Sequence, residues 1–243
     1  MLITESQKTE AVKKLFVYLF EQGFLTSSQM KEVSGLEWND IQRLIREDYV
    51  KAEKSFFYPV SVYLPREKAK RFLKENGVPI YVNGMEDPPE KNELHDRWLT
   101  DIRIEFERMG YREWQSEKCL RQRGMRRFTP DAIVTIGKRK IAIELELTGK
   151  GNKPYERKLG YYGNHPAIYG VLYFIAQPKL AERFRQLIKS QNHVYFTLLN
   201  NFADYRGNAY VESGKFVGEA LQLWRFLERI KNNYQEVRVD QNG

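Results

Sequence analysis

The stretch best suited to chemistry runs from Phe128 to Leu147, FTPDAIVTIGKRKIAIELEL. Gly137-Lys138 suits a two-residue hairpin turn with glycine at its first central position. With that turn, Ile136 faces Arg139 and Asp131 faces Glu144. Side chains alternate along a strand. One face therefore collects Ala132, Val134, Ile136, Ile141, Ile143, Leu145 and Leu147, and the other carries Asp131, Thr135, Glu144 and Glu146. Three carboxylates at one end of a hairpin repel one another unless something positive joins them. A divalent cation does so through oxygen ligands, and Mg²⁺ commonly takes one or two carboxylates with phosphate and water. The chemistry expected of Asp131, Glu144 and Glu146 as a metal set is attack on a phosphodiester. The alternative is an amphipathic hairpin whose acidic face is simply solvated.

The charge around this cluster is opposite in sign. The 243 residues hold 40 Lys and Arg against 32 Asp and Glu, a net +8. Residues 1–90 contain 13 cations and 14 anions, and residues 91–243 contain 27 and 18, so all the excess lies in the second part. That balance favours a polyanionic partner. Lys118, Arg121, Arg123, Arg126 and Arg127 crowd the segment before Asp131, interleaved with Met125 and Phe128. This pattern predicts a backbone clamp with stacking on single-stranded DNA, against the alternative of a solvated basic loop. Lys138, Arg139 and Lys140 sit at the far turn, too distant for catalysis, and read as a solvent-facing turn or an outer phosphate contact.

Elements must position these residues. Val12, Leu15, Phe16, Leu19 and Phe20 repeat at helical spacing, and Gly23 ends that helix. Thr26-Ser27-Ser28 caps a short helix through Val33. A third helix has Trp38, Ile41, Leu44 and Ile45 inward, with Gln42, Arg43 and Arg46 outward. Apolar runs at Tyr49–Ala52 and Phe56–Leu64 predict a strand pair, and Arg66–Asn76 a closing helix. This is the order of a winged helix-turn-helix, whose third helix, with Arg43 and Arg46, would enter a DNA groove. Asp40, Glu47 and Asp48 beside that helix argue against strong phosphate contact, and a helical domain that binds protein is the alternative. The Pro- and Gly-containing run at 84–92 reads as a linker, separating residues 1–83 from 93–243. In the second part His95, Trp98, Leu99, Ile102 and Phe106 share a helix face, with Asp101 and Glu105 one turn apart. Strands at Ile168–Ile175 and Val194–Leu199, joined through a helix at Pro178–Lys189, predict a parallel pair. Val217, Ala220, Leu221, Trp224 and Leu227 mark a final helix. The fold class is thus mixed α and β, with a sheet flanked by helices in the second part.

Pro130-Asp131, followed by a hairpin into Glu144-Leu145-Glu146, resembles the PD-(D/E)XK nuclease superfamily. The resemblance implies a mixed sheet flanked by helices and Mg²⁺-dependent DNA cleavage, with metal bound by Asp131, Glu144 and the Leu145 carbonyl. The superfamily's lysine is replaced here by Glu146, and the missing cation is expected from Lys153, Arg157 or Lys158, with Lys158 preferred. Glu144, Glu146, Lys158, Leu159 and Tyr162, with the ELHDRWLTDIRIEFERMG segment and the two-part layout, resemble a narrower group. That group is the plasmid replication-relaxation proteins and MobC-type mobilization relaxases. It implies a winged helix followed by a nuclease-like domain that nicks one strand at a plasmid transfer origin. Mg²⁺ or Mn²⁺, a relaxosome accessory protein and a coupling ATPase are implied partners. His95 would then contact substrate or the catalytic centre; read from its helix face alone, it is a core histidine.

Three histidines, His95, His165 and His193, are dispersed, which excludes a histidine-cluster relaxase mechanism. Tyr161 and Tyr162 are candidate nucleophiles or stacking residues, with hydrolysis by metal-activated water the default. Two other outcomes stay open: a DNA-binding regulator that has lost catalysis, and a restriction-type double-strand endonuclease. The single Cys119 excludes an internal disulfide framework. No secretory segment is visible at MLITESQKTE, and the longest apolar run, Ile168–Ala176, falls short of the ~20 residues that span a bilayer. A cytoplasmic protein is expected.

Overall fold

The computed structural model describes residues 4–55, 59–80, 92–189, 191–213 and 221–239. The chain divides into two compact units, Met1–Ile104 and Glu105–Gly243. The linker expected at 84–92 lies, apart from Asn92, outside the described residues.

In the first unit, α1 (Glu5–Gln22) starts at a capping box in which Thr4 and Gln7 satisfy each other's backbone N–H. It stops at Gly23, whose φ of 94° suits a residue without Cβ. Leu15, Phe16 and Leu19 on its apolar stripe are fully buried. A second capping box, Thr26 with Gln29, starts α2 (Ser27–Ser34). α3 (Trp38–Arg46) buries Ile41 completely, but Trp38 is 38% exposed and touches Tyr63 only edge-on. The inward expectation for Trp38 is corrected accordingly: at the first position of a nine-residue helix it overhangs the core. Strands β1 (Leu25–Thr26), β2 (Val50–Lys54) and β3 (Ser61–Pro65) form an antiparallel sheet in the order β1-β3-β2. The two-residue β1 is too short to leave an alternation in the sequence. The Phe56 end of the expected strand lies outside the described residues. α4 (Glu67–Glu75) closes the core with Ala69 and Leu73. α5 (Glu93–Arg108) begins in this unit, and the boundary falls within it.

The second unit is built on a seven-stranded sheet, ordered β10-β9-β8-β7-β6-β5-β4. Its strands are β4 (Trp114–Ser116), β5 (Ala132–Ile136), β6 (Arg139–Glu146), β7 (Gly170–Ile175), β8 (Val194–Leu198), β9 (Tyr210–Ser213) and β10 (Leu221–Gln222). Strands β4 to β6 form an antiparallel meander, and β6, β7 and β8 run parallel. Parallel neighbours need crossovers, supplied by α7 (Asn152–Asn164) and α8 (Pro178–Ile188). The expected parallel pair and its helix are found. Leu221, expected in the last helix, instead pairs with Val211 in an edge strand. The helix, α10 (Leu223–Val239), starts two residues later. Val217 and Ala220 lie outside the described residues.

Both sheet faces are covered. Ile133, Ala142, Tyr173 and Phe196 pack under Tyr155, Leu159 and Tyr162 of α7 and Phe184 of α8. The Phe184 ring lies 4.6 Å from that of Tyr173 and 5.7 Å from that of Tyr155. Burying such a side chain contributes about 2–3 kcal/mol. On the opposite face Phe174 meets Phe202 of α9 (Leu199–Tyr205) at 5.1 Å. Strands buried on both faces are usual beside parallel neighbours. The idea of a solvated acidic face is therefore corrected: Ile133 and Ala142 share that face with the acids, and two helices lie over it.

Candidate functional site

The hairpin register is as the turn predicts. Ile136 pairs with Arg139 and Ala132 with Ile143 across Gly137, whose φ is 61°. Asp131, immediately before β5, is thereby set opposite Glu144. Its position is fixed at both ends. The Asp131 carbonyl accepts from Glu117 N–H at 2.8 Å, and its Oδ2 accepts from Leu145 N–H at 2.7 Å.

Glu144 is 1% exposed. Lys158, reaching from α7, donates from Nζ to Glu144 Oε2 at 2.5 Å. Tyr162, one helical turn further on, donates its phenol proton to Oε1 of the same carboxylate. Burial first, then the charge of Asp131, pushes the Glu144 carboxyl up to about 8 against the pull of Lys158 and Tyr162. Burial alone would lower the Lys158 ammonium, but Glu144, Asp131 and Glu146 outweigh it and the net shift is upward. Lys158 is therefore firmly cationic. Burial and then Glu144 hold the Tyr162 phenol well above its ordinary range. A buried, protonated phenol committed to a carboxylate is a hydrogen-bond donor and not a ready nucleophile.

Glu146 is also buried, but its partner is Lys150, with Nζ 3.1 Å from Oε1. Among the described residues no group of three His, Cys, Asp or Glu side chains is arranged to hold a metal ion. The three-carboxylate set is thus not assembled as a ligand group. Asp131 and Glu144 remain as a two-carboxylate set, which suits the one or two carboxylates that Mg²⁺ uses. Tyr173, paired in register with Glu144 on β7, is fully buried, and its Oη has no hydrogen-bond partner. Burial, then Glu144 and Glu146, raises that phenol as well. Asp131 and Glu144, with the Tyr173 hydroxyl nearby, are the side chains that could take part in holding a cation.

Of the other expected residues, Arg121 of α6 (Glu117–Gln122) bonds Glu117 from both Nε, at 2.8 Å, and Nη2, at 2.5 Å. Arg123, Arg126 and Arg127 follow on an exposed segment leading to Asp131, and Lys153 is exposed in the first turn of α7. His95 belongs to the first unit, where its Nδ1 lies 3.2 Å from Asp96 Oδ1. Asp101, in the same unit, accepts from Gln29 at 2.8 Å. Glu105 accepts from Gly207 N–H at 3.1 Å in the second unit. Arg43 and Arg46 are exposed on α3, Arg43 bonded to Glu47 at 2.7 Å.

Sequence reasoning named Tyr162 in one motif with the acids, but as a candidate nucleophile or stacking residue and not as their hydrogen-bond donor, and it did not name Tyr173 or Lys150. The four-residue step from Lys158 to Tyr162 puts both on one helix face, so that signal was present. Tyr173 carried none, because its neighbour is set by a parallel crossover. No family model matches the chain, and no curated protein or solved structure matches it.

Proposed function

We propose that the protein is a metal-dependent DNA-nicking relaxase of the MobC type, acting in the cytoplasm at a plasmid transfer origin. The observation that carries this reading is the convergence of Asp131, Glu144 and Lys158: two acids on adjacent strands and a lysine from the crossover helix. The mixed sheet flanked by helices supports a PD-(D/E)XK nuclease fold for the second unit. The order α1, β1, α2, α3, β2, β3, with sheet order β1-β3-β2, supports a winged helix for the first.

Asp131 and Glu144 would hold Mg²⁺ or Mn²⁺, which when bound supplies Lewis acidity toward the phosphodiester and activates water. Lys158 shifts its ammonium from neutralising Glu144 to neutralising the charge that develops on phosphate. Tyr162 keeps the Glu144 carboxylate oriented through Oε1. Lys150 pairs with Glu146, which in this reading tunes the local charge instead of binding metal. The basic segment Arg123–Arg127 gathers the strand. Duplex recognition falls to α3, with Arg43 and Arg46. A relaxosome accessory protein and a coupling ATPase complete the assembly.

One observation favours a second reading. Lys158 and Tyr162 together engage both oxygens of Glu144, as in a nuclease-like domain that has exchanged metal for a salt bridge. Such a regulator binds DNA tightly whether or not metal is present and cuts nothing. Supercoiled plasmid incubated with the protein and Mn²⁺ separates the two. Open-circular product, lost in Asp131→Ala, supports the relaxase, and undiminished binding in EDTA without any cleavage supports the regulator. Linear product would indicate a double-strand endonuclease.

A further inference from the structure

Phosphodiester chemistry leaves one feature beside the acids unused. Tyr161 follows Lys158 on α7 but serves another surface. Its ring lies 5.4 Å from that of Phe128 and 5.2 Å from that of His165, one helical turn on. All three rings are half-buried, so each keeps part of its surface open. The Arg127 guanidinium stands 5.4 Å from the Phe128 ring centre. Arg126 is exposed beside it, and Arg157 is exposed one turn before Tyr161.

Two details show that this arrangement is held in place. Phe128 has φ of 50°, in the left-handed region that a bulky side chain avoids. The chain beside it is tied down: Thr129 Oγ1 donates to the Met125 carbonyl at 3.0 Å. The Tyr162 hydroxyl that bonds Glu144 also lies 3.5 Å from the Phe128 carbonyl, which places the aromatic surface next to the acid pair. Phe128 is also only three residues from Asp131.

Aromatic faces flanked by cations bind single-stranded nucleic acid through base stacking and phosphate attraction, with little need for hydrogen-bond readout. We propose that Phe128, Tyr161 and His165 form a stacking shelf for an unpaired base of single-stranded DNA, with Arg126, Arg127 and Arg157 attracting its phosphates. The assignment of DNA as substrate rests on the function proposed above; the shelf adds which strand state is bound and by what. A duplex keeps its bases stacked on one another and cannot use such a surface.

The test uses the full chain, a 20-nucleotide single strand carrying 2-aminopurine, and EDTA to exclude cleavage. Wild type and Tyr161→Phe should quench the probe on binding. Tyr161→Leu should lose the quench and bind the single strand about tenfold more weakly, while duplex of the same length binds as before. Phe128→Leu should behave as Tyr161→Leu does, which covers the case of one variant failing to fold. Wild-type quenching and affinity in folded Tyr161→Leu overturns the shelf, and so does an equal loss for duplex. Nicking assays on the same proteins keep the two readings apart. Quenching that depends on Tyr161 in a chain that never nicks retains the shelf and removes the nuclease. Nicking that needs Asp131 but is indifferent to Tyr161, without quenching, removes the shelf alone.

Discussion

Two ion pairs, one in each unit, show opposite uses of charge. Arg43 and Glu47 lie one turn apart on the first unit's surface, their side chains 67% and 40% exposed. Lys158 and Glu144 are fourteen residues apart, brought together by a strand and a crossover helix, and Glu144 is 1% exposed. Burial alone does not set the second pair apart. Buried Arg103 and half-buried Glu21 in the first unit are also 2.5 Å apart, with Arg103 stacked 3.8 Å from the Tyr18 ring centre. That pair adds a cation–π contact to its salt bridge. Lys158 instead feels Glu144, Asp131 and Glu146 together, and the repulsion of Asp131 still reaches Glu144. A buried carboxyl with a strongly raised pKa, held beside a lysine and a second acid, is the kind of perturbed group that marks a candidate site.

The largest effect expected from breaking this contrast is in the buried pair. Lys158→Met leaves Glu144 under the helices without its cation, at a cost of about 3 kcal/mol. The lower end of the usual range applies because Glu144 can take up a proton. Urea unfolding of the variant measures the loss, and stability equal to wild type would mean that the bridge contributes nothing. A smaller effect tests the raised Glu144 carboxyl. The Glu144 pKa of about 8 in the fold lies above its ordinary 4.5, so the folded state retains a proton that the unfolded state releases. Stability contributed by this group is present at low pH and is lost as pH rises between those values. With EDTA present, Glu144→Gln should therefore show a shallower fall in unfolding free energy from pH 5 to pH 8 than wild type. Parallel curves would contradict the cluster's electrostatics. The smallest effect is at the surface: Arg43→Ala should leave the melting temperature unchanged and lower the salt slope of duplex binding by about one. A clear thermal destabilisation would show that the exposed pair is more than a solvated contact.

How far the sequence discloses this site depends on the distance over which each feature is decided. The turn at Gly137-Lys138 is local, and with the two-residue period it sets Asp131 opposite Glu144. Lys158 is expected near the acids only through the nuclease resemblance, and the structure places its ammonium on Glu144. Burial is not local. Whether the acid face meets water or helices depends on where α7 and α8 return, and only Ile133 and Ala142 on that face hinted at cover. Tyr173 became a neighbour of Glu144 through the parallel pairing of β6 with β7, which no spacing encodes. Edge strands β1 and β10, two residues each, are shorter than any periodicity can register.

The central claim is that Asp131 and Glu144 make the second unit a nuclease. The most direct measurement incubates supercoiled plasmid with the full chain and Mn²⁺, and maps any nick by primer extension. The account predicts open-circular product cut at a fixed position by wild type, and loss of at least about a hundredfold in rate for Asp131→Ala. Wild type and Asp131→Ala behaving alike, with no nick at a fixed position, would contradict it.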